Sequence, residues 1–260
     1  MTPVTLITGA SAGIGTELAR VFARHGNVLA LTARRKERLD ALATEIAAGN
    51  GAKPLVLALD LAEPSAATQI GEALAENGLE PQFVVNNAAF GLVGRAAALP
   101  YGEQLGMIDL NVRALTDLSL SFVGSLERHR GGILNVASVA GFLPGPGSAV
   151  YYASKAFVLS LTEALHEELR PRGIRVTCLC PGPVATEFQA RAGVAGEAPP
   201  WPLAVTAARV AEAGYRGLMR GQRVVIPGFA NKLVARLAAR WTPRRILLAQ
   251  LDARQLKRRA

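Results

Sequence analysis

The chain has few of the residues that carry metal, redox or disulfide chemistry: two cysteines and three histidines in 260 residues. Cys178 and Cys180 are two apart in a segment of strand character, so they share a face. They lack the C-x-x-C spacing of a zinc or thiol-redox site and read as reduced, buried thiols. His25, His129 and His166 are scattered among helical segments with no carboxylate or cysteine at ligand spacing, so no metal is expected. Long hydrophobic runs are missing too: none approaches the roughly 18 residues of a membrane span. The opening MTPVTLITGA has neither a basic region nor a small-residue cleavage site, and a cytoplasmic protein is expected. Basic excess is almost absent from the body. Of the net charge of +9, most lies in residues 232–260, where nine Lys and Arg face Asp252 alone. That distribution argues against a nucleic-acid partner, which would call for basic and aromatic residues over the whole surface.

What the sequence does have is a succession of short apolar runs bounded by turn residues, at 4–8, 27–32, 54–59, 83–87, 133–138, 175–180 and 223–228. They are continuous rather than alternating, the pattern of strands covered on both faces. Segments of helical spacing lie between them, such as IGTELARVFARHG and KERLDALATEIAAG, the second ending at Gly49, a plausible left-handed cap. Strand and helix alternate throughout, which predicts an α/β fold: one doubly wound, Rossmann-type parallel sheet of about seven strands with helices on both faces. Its ligand site lies beyond the carboxyl ends of the strands. The expected organisation is a catalytic domain over residues 1–228 and a basic amphipathic helical extension over 229–260.

Two stretches carry chemistry. After the first strand comes TGASAGIG, in which Gly9, Gly13 and Gly15 let the backbone turn tightly and approach a pyrophosphate, met by the N-terminus of the helix that begins near Ile14. The second is GSAVYYASKAF, residues 147–157. On a helix, side chains four apart lie on one face, so Tyr151 shares a face with Lys155 while Tyr152 lies about 100° round. A lysine beside a phenol favours the phenolate and lowers a reference pKa of about 10, which makes Tyr151 a candidate acid/base group.

The T-G-x-x-x-G-x-G turn resembles that of the short-chain dehydrogenase/reductase family, and the resemblance continues in order to about Gly228. Asp60 in LDL looks like the acidic contact to adenine, and NNAA, residues 86–89, is similar to the family's N-N-A-G, with Ala89 in place of the glycine. Asn111 matches the helix asparagine, Ser138 the serine that ends the fifth strand, and Tyr151 with Lys155 the Y-x-x-x-K pair. PGPVAT, residues 181–186, matches the turn and threonine that flank the nicotinamide. The resemblance implies a catalytic set of Asn111, Ser138, Tyr151 and Lys155. It implies cofactor contacts at Gly9, Ser11, Gly13, Ile14, Gly15, Asp60, Asn87, Ala88, Tyr151, Lys155, Pro181, Gly182, Val184 and Thr186. Tyr151 is then the acid, Lys155 lowers its pKa and holds the ribose, Ser138 donates to the substrate oxygen, and Asn111 positions a water that resupplies the proton. Ser138 has no G-x-S-x-G elbow around it, which argues against a hydrolase.

At the end of the second strand, Arg34 and Arg35 stand where an NAD enzyme commonly has a carboxylate for the ribose 2′-hydroxyl. Two guanidiniums grip a phosphate through paired hydrogen bonds, so NADP(H) is the expected cofactor. Lys36 and Arg38 read as a solvated helix face. Phe90, Leu92, Val93, Phe142, Leu143, Phe188 and Trp201 are expected to line the substrate pocket, with Arg95, Glu187, Arg191 and Glu197 as charged exceptions. Such a wall suits an apolar ketone or aldehyde, on an acyl chain or ring, in a carbonyl reductase. In the extension, Leu233, Leu237 and Trp241 form an apolar stripe beside Lys232, Arg236 and Arg240, and Thr242 with Pro243 restarts a helix. That tail fits a lid or subunit contact, or a peripheral contact with an anionic membrane. A homodimer or homotetramer is the family default. A catalytically silent NADP-binding regulatory protein is the alternative to an enzyme.

Overall fold

The apolar runs are strands, and the inner ones, such as those at 29–33 and 132–136, are buried on both faces. In the computed structural model, which describes residues 1–49, 51–193, 204–233, 235 and 244–257, the strands are β1 (Thr2–Thr8), β2 (Leu29–Ala33), β3 (Leu55–Ala58), β4 (Leu79–Asn86), β5 (Gly132–Val136), β6 (Arg175–Leu179) and β7 (Val224–Val225). They pair in the order β3-β2-β1-β4-β5-β6-β7, every pair parallel. Side chains alternate across the pleat, so Leu6, Ala30, Val84 and Ile133 pack on one side of the sheet, and Ile7, Leu31, Val85 and Leu134 on the other.

Helices α1 (Gly13–Arg24), α2 (Lys36–Ala48) and α9 (Ala207–Met219) cover the second side through Leu18, Phe22, Leu39 and Leu218. The first side is covered by α3 (Ala66–Glu76), α5 (Leu115–Ser121), α6 (Val123–Arg128) and α7 (Ala149–Leu169) through Ile70, Leu118, Leu126 and Leu165. Before α5 come α4 (Tyr101–Ile108) and a π-helical turn, Asp109–Ala114. A short α8 (Glu187–Arg191) follows β6. Chain direction across the sheet reverses between β1 and β4, and the crevice beyond their ends is where such folds bind ligands.

The expected strands differ from the observed ones mainly at their ends. The seventh shrinks from 223–228 to Val224–Val225, and the fourth begins earlier, at Leu79. Gly49 ends α2 with φ −84°, an ordinary conformation rather than the left-handed cap its position suggests. In the extension the described elements are α10 (Phe229–Leu233) and α11 (Arg244–Lys257). The apolar stripe is described only at Leu233, which is 49% exposed. Leu237 and Trp241 lie outside the described residues, as do Arg236, Arg240, Thr242 and Pro243. No described helix is long and apolar enough to cross a membrane.

Candidate active site

The turn after β1 is shaped by what cannot fit there. Gly9 and Gly13 have φ of +65° and +57°, the left-handed region that L side chains avoid. A Cβ on Gly15 would lie 2.2 Å from the Gly9 carbonyl oxygen and 2.5 Å from Asn87 Nδ2. Thr8 fastens this turn to the loop after β4: its buried hydroxyl accepts the backbone N–H groups of Asn87 and Ala88, each at 2.9 Å. In return Asn87 Nδ2 donates to the Thr8 carbonyl at 2.9 Å. The turn is therefore held open as a cradle with backbone groups at its surface, which fits a pyrophosphate.

A cavity of about 640 Å³ runs from this cradle along the ends of the strands. All the expected site residues line it except Gly15, which packs beneath the turn, and Asn111. At its centre lie Ser138, after β5, and Tyr151 and Lys155 on α7. Tyr152 packs its ring on Gly145, where a Cβ would lie 2.1 Å from the ring, and meets Tyr151 edge-on with centroids 6.1 Å apart.

Burial sets the proton affinities here. Lys155 is 3% exposed and its Nζ donates to the Val136 carbonyl at 2.8 Å. Burial pulls its pKa down to about 8, because an ammonium loses its hydration. Tyr151 moves the other way: burial pushes it up to about 12, and a hydrogen bond with Ser138 opposes this only in part. The expected depression of the phenol by Lys155 is thus reversed. The ammonium lies 5.9 Å from the ring centroid and is engaged with Val136, while the cost of burying a phenolate dominates. A phenol at about 12 is protonated at neutral pH, the form that can give up a proton.

Asn111 lies off the cavity. It is fully buried in the π-helical turn, its Oδ1 accepts from Phe90 N at 3.1 Å, and its Nδ2 donates to Phe90 O at 2.9 Å and to Ser154 Oγ at 3.1 Å. The side chain pins the loop after β4 against α7.

At the outer end, Arg34 lies 3.8 Å from Asp60, and Arg35 donates to Glu187 at 2.8 Å and to Ser11 Oγ at 3.2 Å. Arg38 is exposed, as expected of a solvated face, and there meets the second oxygen of Glu187 at 2.5 Å. In the inner pocket Phe90, Leu92, Val93, Leu143 and Phe188 line the wall, as does Arg191, whose guanidinium lies 4.5 Å over the Phe90 ring. Phe142 packs instead against the cluster around Cys178 and Cys180, whose sulfurs are 3.6 Å apart and buried. Arg95 is not among the lining residues and pairs with Asp252 of α11 at 2.7 Å, and Trp201 and Glu197 lie outside the described residues. Among the wall residues that sequence reasoning missed, three stand out. Gly91 has no room for a Cβ between Phe188 and Tyr151, at 2.9 and 3.1 Å, and Asn231 and Leu251 of the extension close the cavity wall. No motif marks any of them. Among the described residues no cluster suited to a metal ion exists.

The short chain dehydrogenase family model matches residues 3–195. Sulfoacetaldehyde reductase 2 of Chromohalobacter salexigens is 38% identical over 72% of this chain and 75% of its own length. An NADP-dependent 3-hydroxy acid dehydrogenase of Salmonella typhi is 36% identical over 71% of this chain and 74% of its own. Among solved structures, a short-chain dehydrogenase from Sphingobium yanoikuyae in complex with NADPH superposes with a TM-score of 0.80 at 34% identity, covering 98% of this chain and 94% of that one.

Proposed function

Because the chain belongs to the short-chain dehydrogenase family, we propose that it is an NADP(H)-dependent oxidoreductase that reduces a ketone or aldehyde, or oxidises the matching alcohol, with Tyr151 as acid/base. The observation that carries the reading is one cavity in which a protonated phenol, the Ser138 hydroxyl and a buried lysine converge beside a cradle built for a pyrophosphate. NADPH, when bound, supplies a hydride to the carbonyl carbon. Negative charge then develops on the carbonyl oxygen, where Ser138 donates a hydrogen bond and Tyr151 delivers its proton. Lys155, titrating near pH 8, is suited to return a proton to the phenolate and to bind the ribose hydroxyls. Arg34 and Arg35 would hold the 2′-phosphate, and Asp60, Ala88, Pro181, Gly182, Val184 and Thr186, which line the cavity, would border the cofactor.

The substrate is apolar around its carbonyl, because Phe90, Leu92, Leu143 and Phe188 form the wall. A specific observation adds an acidic group to it: Arg191 lines the cavity with no carboxylate at ion-pair distance among the described residues, and both relatives named above act on compounds that carry an acid. The extension covers the pocket, since Leu251 lies in the wall and Asp252 holds Arg95. Exposed Tyr101, Leu105 and Ile108 on α4, with Leu120 and Phe157, supply an apolar surface for a homodimer or homotetramer. The test is NADPH oxidation against a panel of neutral ketones, aldehydes and their carboxylated or sulfonated counterparts. Turnover is expected with apolar carbonyls and is highest with those bearing an acid. Failure of every carbonyl and alcohol, with NADPH binding intact, would favour a silent cofactor-binding protein.

A further inference from the structure

Glu187 is a carboxylate placed on two arginines at the mouth of a site for an anion. Its Oε2 accepts from Arg35 at 2.8 Å and its Oε1 from Arg38 at 2.5 Å, and the same Arg35 reaches Ser11 Oγ at 3.2 Å on the glycine turn. Ser11, Arg34, Arg35 and Glu187 all line the cofactor cavity. The two guanidiniums keep the carboxyl ionised, well below its usual range. We infer that Glu187 is an internal stand-in for the 2′-phosphate: it occupies Arg35 until the cofactor phosphate displaces it onto Arg38, and it thereby sets the preference between NADPH and NADH. The inference rests on the NADP(H) reading above and concerns a residue that nothing in that reading uses.

Magnitudes decide who wins the arginine. All three side chains are near half exposed, at 44% for Arg35, 51% for Arg38 and 50% for Glu187, so the carboxylate pairs are screened and weak. A phosphate brings nearly two charges and three acceptor oxygens and outcompetes one carboxylate. Displacement therefore occurs, but it lowers the apparent affinity for the phosphorylated cofactor. NADH offers no phosphate and leaves Glu187 where it is. The contact also joins the outer end of the cavity to the inner one, because Glu187 opens α8, whose next residue, Phe188, packs 5.4 Å from the Tyr151 ring.

Calorimetric titration of the full chain with NADPH, NADH, adenosine 2′,5′-bisphosphate and ADP tests this without any turnover. Glu187→Gln should tighten the two ligands that carry a 2′-phosphate by roughly three- to tenfold and leave the other two unchanged. Arg38→Met should weaken the phosphorylated ligands in the wild-type background, since Glu187 then rests on Arg35 alone, and should have no effect when combined with Glu187→Gln. Unchanged or weaker NADPH binding by Glu187→Gln, or an Arg38→Met loss that persists in the double variant, would overturn the stand-in and make Arg38 a direct phosphate ligand. Equal binding of NADPH and NADH by the wild type would instead remove the cofactor reading itself.

Discussion

Spacing alone places Tyr151 and Lys155 on one face, yet it does not reveal their proton affinities. The spacing suggests a lysine that lowers a phenol. Burial instead raises Tyr151 to about 12 and lowers Lys155 to about 8, and the Lys155 ammonium rests on Val136 O, a partner 19 residues away. A pH dependence follows. Between pH about 8 and the ordinary lysine value of 10.5, the unfolded chain binds the proton that the folded one has lost, so folded stability rises with pH across that window. The penalty for the buried charge is fully present below pH about 8. Denaturant unfolding of the apoprotein should show wild type gaining about 3 kcal/mol relative to Lys155→Met over this range. A difference that stays flat with pH would mean the buried ammonium is not disfavoured. Cofactor choice is another single-residue matter that the sequence does expose, because Arg34 and Arg35 are adjacent and no acidic residue replaces them. Losing charge-assisted bonds of about 1.5–3 kcal/mol each, the Arg34→Ala/Arg35→Ala variant should bind NADPH at least tenfold more weakly while NADH affinity barely moves. Equal losses for both cofactors in fluorescence titration would assign the arginines to the fold.

Elements are legible where their pattern is local. Continuous apolar runs such as VTLIT and ILNVAS can be located to within a few residues because each must satisfy both faces of the sheet at once. What local pattern does not contain is how separate elements are tied together. The π-helical turn that carries Asn111 brings one amide against Phe90 and Ser154, two partners 21 and 43 residues away. Thr8 is similar: its place in the glycine motif is plain, but its hydroxyl works by receiving two amides from the loop after β4. Thr8→Val keeps the shape and strands those amides, at about 1–3 kcal/mol each. Thermal unfolding should therefore occur several degrees lower and NADPH should bind more weakly, while Thr8→Ser restores both. A stable Thr8→Val protein with normal cofactor affinity would show that the cradle holds without this tie.

At the scale of the molecule, the charge imbalance marks the extension off from the body but does not say what the extension covers. Basic residues over 232–260 suggest a membrane contact, whereas Leu251 lies in the cavity wall and Asp252, the lone acidic residue of that stretch, pairs with Arg95 of the body. Those partners are 157 residues apart in the chain, beyond the reach of any local pattern. Removing residues 232–260 should raise the substrate KM and leave NADPH affinity within about twofold, because the cradle lies wholly in the body. Salt-sensitive binding to anionic vesicles that is lost on truncation, with kinetics unaltered, would assign the tail to a membrane surface instead. Catalysis turns on a protonated phenol at the centre of the cavity. Its most direct test is single-turnover reduction of a carbonyl substrate by enzyme preloaded with NADPH, comparing wild type with Tyr151→Phe and Tyr152→Phe. Hydride transfer is expected to fall by about a thousandfold or more in Tyr151→Phe, as loss of a general acid commonly costs, with NADPH affinity intact and Tyr152→Phe within about threefold of wild type. Hydride transfer by Tyr151→Phe at near the wild-type rate would contradict the role of Tyr151 as the acid.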